Sequence, residues 1–462
     1  MRILLFDLDC CRPDHLGCYG YNRPTSPTID SIAGEGVRFS QYHAASTPCL
    51  PSRACLFSGR FGIRNGIISN VGKGAEFKIR KRPYGGPEPD NTMLMRQLRG
   101  SGLETISFSN FSDRHNAWWF TCGWSEYHTP NLKAGNETAD DIHEKLMPWL
   151  KHHAADDDYL LHINYWDIHR KYKMDVSWAD RFEGYPIQDW PDEATIEEHQ
   201  ALDGPFTAQK QFPNGVSDHP LMPGSVSNRA DFEHMINGYD ASIAYVDAHI
   251  KQVLDELSNQ GVLDDTVIIV TGDHGDAFGE HGVYSDHVCA DECIHRIPLI
   301  VRWPGLAPEG RRSDSLLYNV DFTATLCDLL DIPIPGDWDG ESFAEKVRGS
   351  AGEEREYLVW DHGLYAVQRA VRTPTHLMIR TYHPFKYPFK PVELYDLEHD
   401  RYQSREIGDE EPEVLHECDS HLAEWIQQQR LKPHPIQDPI ETILQDPGRY
   451  PKKSGGEWPF TR

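Results

Sequence analysis

The chain has 462 residues, of which 39% are hydrophobic and 25% are charged, and its formal net charge is -27. This composition is typical of a folded globular protein with a sizeable core. The negative charge argues against a nucleic-acid or anionic-membrane partner, because both surfaces would repel the protein. The sequence also lacks an apolar run near the roughly 20 residues that cross a bilayer.

The start of the chain and its cysteines indicate the cellular compartment of the protein. The first predicted strand begins at Arg2, which leaves no room for an export signal before it. Ten cysteines are present without the regular spacing of a disulfide framework. We therefore expect a cytoplasmic protein with reduced thiols. The sequence is also compatible with a homo-oligomer.

Residues 2–9, RILLFDLD, predict a strand buried in a parallel sheet, with Asp9 at its carboxyl end. Ligands of open α/β sheets bind beyond the carboxyl ends of the strands, so Asp9 is placed for function. Asp7 is better suited to a structural partner within the sheet.

The stretch TPCLPSR, residues 47–53, puts Cys49 at the start of a helix-like run that continues to Ser58. A helix N-terminus attracts anions through its partial positive charge and its free N–H groups. Arg53 lies one turn further along the same face. Taken alone, the pattern fits a packed thiol in a proline-containing turn equally well.

Two motifs together resemble the sulfatase family: residues 9–20, DCCRPDHLGCYG, and the C-x-P-S-R pattern at Cys49. In that family a maturation enzyme oxidises the cysteine to formylglycine, whose hydrate is the nucleophile. The resemblance covers roughly residues 1–430. It implies an α/β fold with a large mixed, mostly parallel sheet flanked by helices, and a smaller C-terminal antiparallel sheet subdomain. In one departure, Cys10 stands where many members have a second acidic ligand.

The resemblance also implies a metal site. A predicted strand over residues 264–271 delivers Asp273 and His274, which are similar to the family's metal pair. We expect a divalent cation held by Asp9, Asp273, His274 and the modified Cys49. Ca²⁺ is favoured because carboxylate oxygens dominate the set, and Mn²⁺ is the alternative.

Four further residues are candidate contacts of the substrate, by the same resemblance. His169 follows the predicted strand 159–166 within a motif like the family's Asp-Pro-His. His287 lies where members place a residue that contacts sulfate and protonates the leaving group. Asn70 and Asn110 are expected substrate contacts, and Asn110 stands near the place of a family lysine that this chain lacks. Loop asparagines also commonly cap turns.

The domain prediction has three parts. Residues 1–350 form the catalytic domain, residues 351–430 a small β-sheet with a helix, and residues 431–462 an extended tail. Within the first, the Trp- and Pro-rich segment 170–228 is interpreted as a wall of the substrate pocket. Its aromatic rings fit sugar stacking or ordinary surface packing.

The function that the resemblance implies is hydrolysis of a sulfate monoester on a small sulfated carbohydrate or another sulfate ester. Cys49 supplies the formylglycine, Arg53 orients it, and His169 or His287 protonates the leaving alcohol. One alternative is a phosphonate monoester or phosphodiester hydrolase of the same superfamily, favoured by Cys10 and by Asn70 and Asn110 in place of the family's usual lysine. The other is an inactive sulfoglycan-binding protein, in which Cys49 stays a thiol.

Overall fold

The computed structural model describes residues 1–78, 92–131, 133, 136–212, 215–433 and 435–445. The strands of this part of the chain are β1 (Arg2–Leu8), β2 (Val37–Phe39), β3 (Tyr42–His43), β4 (Ser46–Thr47), β5 (Glu104–Phe108), β6 (Glu126–His128), β7 (Tyr159–Tyr165), β8 (Thr266–Gly272), β9 (Ala277–Phe278), β10 (Tyr284–Asp286), β11 (Leu299–Arg302), β12 (Arg311–Ser313), β13 (Leu317–Tyr318), β14 (Leu358–His362), β15 (Val367–Arg372), β16 (His376–His383) and β17 (Val392–Asp396).

The α-helices of the same residues are α1 (Pro27–Gly34), α2 (Cys49–Ser58), α3 (Gly62–Asn65), α4 (Leu94–Gly100), α5 (Phe111–His115), α6 (Ala139–His153), α7 (Glu193–His199), α8 (Arg229–Asn259), α9 (Glu292–His295), α10 (Asn319–Leu329), α11 (Ala344–Val347), α12 (Pro412–Leu431) and α13 (Pro439–Gln445). None of these helices is both long and apolar enough to cross a bilayer.

The main sheet has eight strands in the order β12-β2-β11-β8-β1-β7-β5-β6. The neighbours β8, β1, β7, β5 and β6 pair in parallel, whereas β11 runs antiparallel to both β8 and β2. The fold class predicted from the sequence, a large mixed and mostly parallel sheet flanked by helices, is confirmed.

Strand β1 is buried on both faces, as its apolar run predicts. Leu4, Phe6 and Leu8 belong to a core shared with α1, α6 and α8. Ile3 and Leu5 point to the opposite core, shared with α2, α4 and α10. Because successive side chains of a strand alternate between faces, one short run anchors both helical layers.

The register of the central strands gathers their carboxyl ends. Leu8 pairs with Tyr165 of β7 and with Gly272 of β8. The residues that follow these three strands therefore leave the sheet side by side at one edge, which is where α/β sheets bind ligands. Asp9 and Asp273 are both such residues.

A second sheet of five strands has the order β17-β16-β15-β14-β4. Strands β14 to β17 form an antiparallel meander, and β4 joins its edge in parallel with β14. Because β4 ends at Thr47, the small sheet is attached directly to the segment that leads to Cys49.

The segment predicted as an extended tail contains helix α13, so this part of the prediction is wrong for Pro439–Gln445. Ile440 and Ile443, three residues apart, share one helix face and pack in a cluster with Ile68 and Val367. The tail beyond residue 445 lies outside the described residues.

Candidate active site

Helix α2 presents Cys49 at its first residue, as the sequence predicts. The whole helix is buried, and Cys49 is 1% exposed. At the other end, Gly59 adopts a left-handed φ of 64°, and a Cβ there would lie 2.6 Å from the Trp338 ring. Glycine is therefore required at this position, which fixes the carboxyl end of the helix that carries Cys49.

Arg53 faces three buried carboxylates. Its Nε donates to Asp7 at 2.7 Å, and its Nη1 donates to Asp9 at 3.0 Å and to Asp273 at 2.5 Å. Three carboxylates facing one guanidinium leave a formal excess of two negative charges. Buried excess charge is costly unless it is compensated, and a divalent cation has the charge that this cluster lacks.

The carboxylates differ in acidity. Burial raises the pKa of Asp7, but Arg53 and His162 lower it further, to about 2. Burial and the neighbouring Asp273 charge raise the pKa of Asp9 well above its ordinary value. Asp7 is therefore the structural ion-pair partner that the sequence predicts, whereas Asp9 is the carboxylate that gains from a cation.

His274 completes a set of candidate metal ligands. Its Nδ1–H donates to the carbonyl of Gly275 at 2.9 Å, which turns Nε2 towards Cys49 Sγ at 3.1 Å. One ligand atom each from Asp9, Cys49, Asp273 and His274 lie within 4.8 Å of one another. This predicted set is thus brought together, and its oxygen and imidazole donors fit a divalent cation.

The Cys49 thiol itself is a poor reactant. Burial, together with the charges of Asp9 and Asp273, raises the pKa of the thiol well above its ordinary value. Since the thiolate is the nucleophile in cysteine chemistry, unmodified Cys49 is a poor nucleophile. An oxygen nucleophile made from this side chain would not depend on losing a thiol proton.

His169 and His287 lie side by side but differ in protonation. Their ring centroids are 5.7 Å apart. Burial opposes protonation of His287, but Asp286 and Asp276 raise the pKa of His287 to about 9. Burial and the charge of His287 lower the pKa of His169 well below its ordinary value. At neutral pH His287 is therefore the protonated member of the pair, and His169 is neutral.

The comparisons with known proteins now identify the family. The sequence model described as Sulfatase matches residues 3–332, and one described as N-sulphoglucosamine sulphohydrolase, C-terminal, matches residues 279–432. This chain belongs to the sulfatase family. The enzyme class expected from the sequence, a sulfuric ester hydrolase, is confirmed.

Three similar proteins set the context for this sulfatase. An N-acetylglucosamine-6-O-sulfatase of Bacteroides thetaiotaomicron is 24% identical, over 82% of this chain and 76% of its own. A solved structure in complex with its substrate D-glucosamine-2-N, 6-O-disulfate has a TM-score of 0.74 at 20% identity, and covers 94% of this chain and 99% of that chain. A phosphonate monoester hydrolase of Agrobacterium radiobacter has a TM-score of 0.72 at 19% identity, over 92% and 95% of the two chains. The two structures are evidence of the shared fold.

The two candidate asparagines of the sulfatase lie in different surroundings. Asn70 Oδ1 accepts the backbone N–H of Leu50 at 3.0 Å, and its Nδ2 lies 3.9 Å from Cys49 Sγ. Asn110 instead donates to the carbonyl of Asn131 at 2.6 Å and occupies the N-cap of α5. Asn70 therefore lies next to Cys49, whereas Asn110 is bonded to a loop through the carbonyl of Asn131.

Arg114 is a site residue that the sequence analysis missed. Its guanidinium carbon lies 3.3 Å from the Trp166 ring centroid, and its Nη2 donates to Glu137 at 2.7 Å. Its positive charge opposes the rise that burial and Asp273 cause in the pKa of Asp9, and it adds to the fall that burial and His287 cause in the pKa of His169. Nε and Nη1 are buried and have no hydrogen-bond partner among the described residues. Its position one helical turn after the candidate Asn110 could have indicated Arg114 from the sequence.

A cleft of about 400 Å³ lies beside Leu50, the residue after Cys49. Four of its nine lining residues carry rings, and the full set is Leu50, Ala75, Glu76, Phe77, His115, Asn116, Ala117, Trp118 and Trp119. These residues come from segments on either side of α4, not from the predicted wall 170–228. In that segment Trp178 packs on Tyr245 and Trp190 stacks on Tyr402. Surface packing, one of the two interpretations of its rings, accounts for both tryptophans.

Proposed function

We propose that this sulfatase hydrolyses a sulfate monoester of a small sulfated carbohydrate, with formylglycine made from Cys49 as the nucleophile. The observation that carries the proposal is the buried set of Asp9, Cys49, Asp273 and His274 at the start of α2. Relatives named for sulfated sugars support the substrate class. The proposal requires a maturation enzyme that oxidises Cys49.

Asp9, Asp273, His274 and the modified Cys49 would hold a divalent cation. When bound, it polarises the sulfate oxygens and favours ionisation of the hydrated aldehyde. Two carboxylates favour Ca²⁺, and the imidazole of His274 leaves Mn²⁺ as the alternative. Arg53 keeps Asp9 and Asp273 in place by binding both.

The surrounding side chains have separate roles in protonating the leaving group and in binding the ester. His287, protonated at neutral pH, donates its proton to the leaving alcohol oxygen, while Asp276 holds its Nδ1 at 2.8 Å. His169, held neutral beside it, offers a contact without a second positive charge. Arg114 has two unpartnered N–H groups with which to bind an ester oxygen.

The substrate is proposed to be small and to be processed in the cytoplasm. A net charge of -27 repels a sulfated polymer along its length. Once the divalent cation offsets the charge of Asp9 and Asp273, a single sulfate that enters beside the cation, Arg114 and the protonated His287 meets positive charge. The cleft beside Leu50 has room and aromatic surface for a sugar ring.

The phosphonate and phosphodiester alternative is tested by comparing kcat/KM on matched aryl sulfate, phosphonate monoester and phosphodiester substrates that share one leaving group. The proposal predicts that the sulfate is hydrolysed most efficiently. A higher kcat/KM on the phosphonate would overturn it in favour of the alternative. The Cys49→Ala variant is the blank, and absence of turnover on every ester would favour a binding protein.

A further inference from the structure

Cys10 lies beside the proposed catalytic set without a role in it. The residue is fully buried, and its backbone N–H donates to Asp273 at 3.0 Å. Its Sγ lies 3.3 Å from Asp9 Oδ1, to which the thiol donates, and 3.9 Å from His274 Nε2. A thiol is a poor ligand for a hard cation but a strong one for a soft transition metal.

Asp276 supplies an independent observation. Its Oδ1 binds His287 Nδ1 at 2.8 Å, whereas its Oδ2 is buried and has no hydrogen-bond partner within the described part of the chain. A buried carboxylate oxygen without a partner is costly. The proposed mechanism uses only the first oxygen, so the second is available to a ligand.

We propose that Cys10, His274, Asp276 and His287 form a second cation site, selective for a thiophilic metal such as Zn²⁺. All four residues are buried, and one ligand atom from each lies within 4.8 Å of the others. One sulfur, two imidazoles and one carboxylate are the donor types that Zn²⁺ takes. Binding would release two protons to solvent, the one that the Cys10 thiol now donates to Asp9 and one from His287, because both side chains ligate a metal only when deprotonated.

This second site and the proposed catalytic set exclude each other. Both use His274, whose Nδ1 is committed to the carbonyl of Gly275, so only Nε2 can bind a cation. Zn²⁺ bound with Cys10 would also remove His287 from the leaving group. We therefore expect Zn²⁺ to inhibit the enzyme, a consequence that rests on the proposed function, whereas the binding itself does not.

Binding is tested without turnover, with Co²⁺ as a coloured probe for Zn²⁺. Full-length protein carrying Cys49→Ala is stripped of metal and titrated with Co²⁺, and the thiolate-to-cobalt charge-transfer absorption is followed. The band should appear in this background, persist with the added control Cys11→Ser, and vanish with Cys10→Ser. Cys11 is the matched control because it is an adjacent buried thiol in the hydrophobic core.

Asp276→Asn, which keeps the shape of the side chain, should weaken Co²⁺ binding by at least about 10–100-fold, because even outer partners of metal ligands contribute that much. Thermal unfolding checks that each variant is folded. A band of unchanged intensity in folded Cys10→Ser protein, or no band in the Cys49→Ala background, would overturn the site.

Inhibition is then measured on formylglycine-bearing enzyme turning over an aryl sulfate in excess Ca²⁺. The half-inhibiting Zn²⁺ concentration should rise by at least about 10–100-fold in Cys10→Ser and stay unchanged in Cys11→Ser. A cobalt band without any sulfatase turnover would leave the site standing and reject the proposed function. Equal inhibition of Cys10→Ser and wild type would reject the competition between the sites.

Discussion

Replacing His287 by alanine should slow hydrolysis selectively, according to the leaving group. His287 is the protonated member of the histidine pair, because Asp286 and Asp276 raise its pKa to about 9. At pH 7 a group with that pKa is protonated in about 99% of molecules. An alkoxide from a sugar needs this proton in the transition state, whereas a nitrophenolate does not.

The expected size of the effect follows from general acid catalysis. Loss of such a group typically costs about 10²–10⁴-fold, which corresponds to about 2.7–5.4 kcal/mol in the activation barrier. His287→Ala should lose that much on a sulfated monosaccharide and less than about tenfold on nitrophenyl sulfate. Because the acid form is lost as pH rises, kcat of the wild type on the sugar sulfate should fall above pH about 9.

The assay is steady-state kinetics on both substrates across pH, with His169→Ala as the control. His169 is neutral, so its removal should affect both substrates by a similar factor. Equal losses of His287→Ala on both substrates would refute the acid role. A loss confined to sugar sulfates in His169→Ala would transfer that role to His169.

Three further predictions concern charge. Arg53→Ala removes the guanidinium that pairs three buried carboxylates, so it should lower the free energy of unfolding by about 3–5 kcal/mol. Urea denaturation measures this loss, and no change would contradict the ion-pair description. Arg114→Ala should lower kcat/KM on sulfate esters by about 10–150-fold, because a charged hydrogen bond to the ester is lost. The control Arg181→Ala, which removes a similar stack on Trp178, should leave kcat/KM unchanged. Equal effects of the two substitutions would reject the Arg114 contact. Burial and the charge of a neighbouring histidine lower the pKa of His143 to about 4. The free energy of unfolding should therefore fall by about 3 kcal/mol as pH drops from 6.5 to about 4, because the unfolded state takes up the proton first. His143→Gln should flatten that part of the plot of unfolding free energy against pH, and an unchanged slope would contradict this prediction.

Much of the sheet is predictable because its signals are local. The apolar runs before Asp9 and Asp273 define buried strands, and parallel pairing then brings the two carboxylates to one edge. The position of Cys49 at a helix start also follows from a short motif. These inferences require only strand burial and the general placement of ligands in α/β folds.

Other parts depend on contacts between distant segments. The contrast between His169 and His287 comes from Asp276 and Asp286, whose carboxylates face only one of the rings. Arg114 reaches the site through Trp166, a neighbour 52 positions along the chain that no local pattern indicates. Helix α13 is stabilised by the packing of Ile440 and Ile443 against Ile68 and Val367, which are distant in the chain.

The central claim, that an oxygen nucleophile made from Cys49 performs the reaction, is tested most directly by the chemical state of that residue in active enzyme. Trypsin should release residues 39–53, which contain Cys49, after cleavage at Arg38 and Arg53. Mass spectrometry of preparations with different degrees of maturation gives the fraction in which an aldehyde oxygen replaces the thiol. The account predicts that specific activity rises in proportion to that fraction and is zero without it. Full activity in a preparation whose Cys49 is entirely thiol would contradict it.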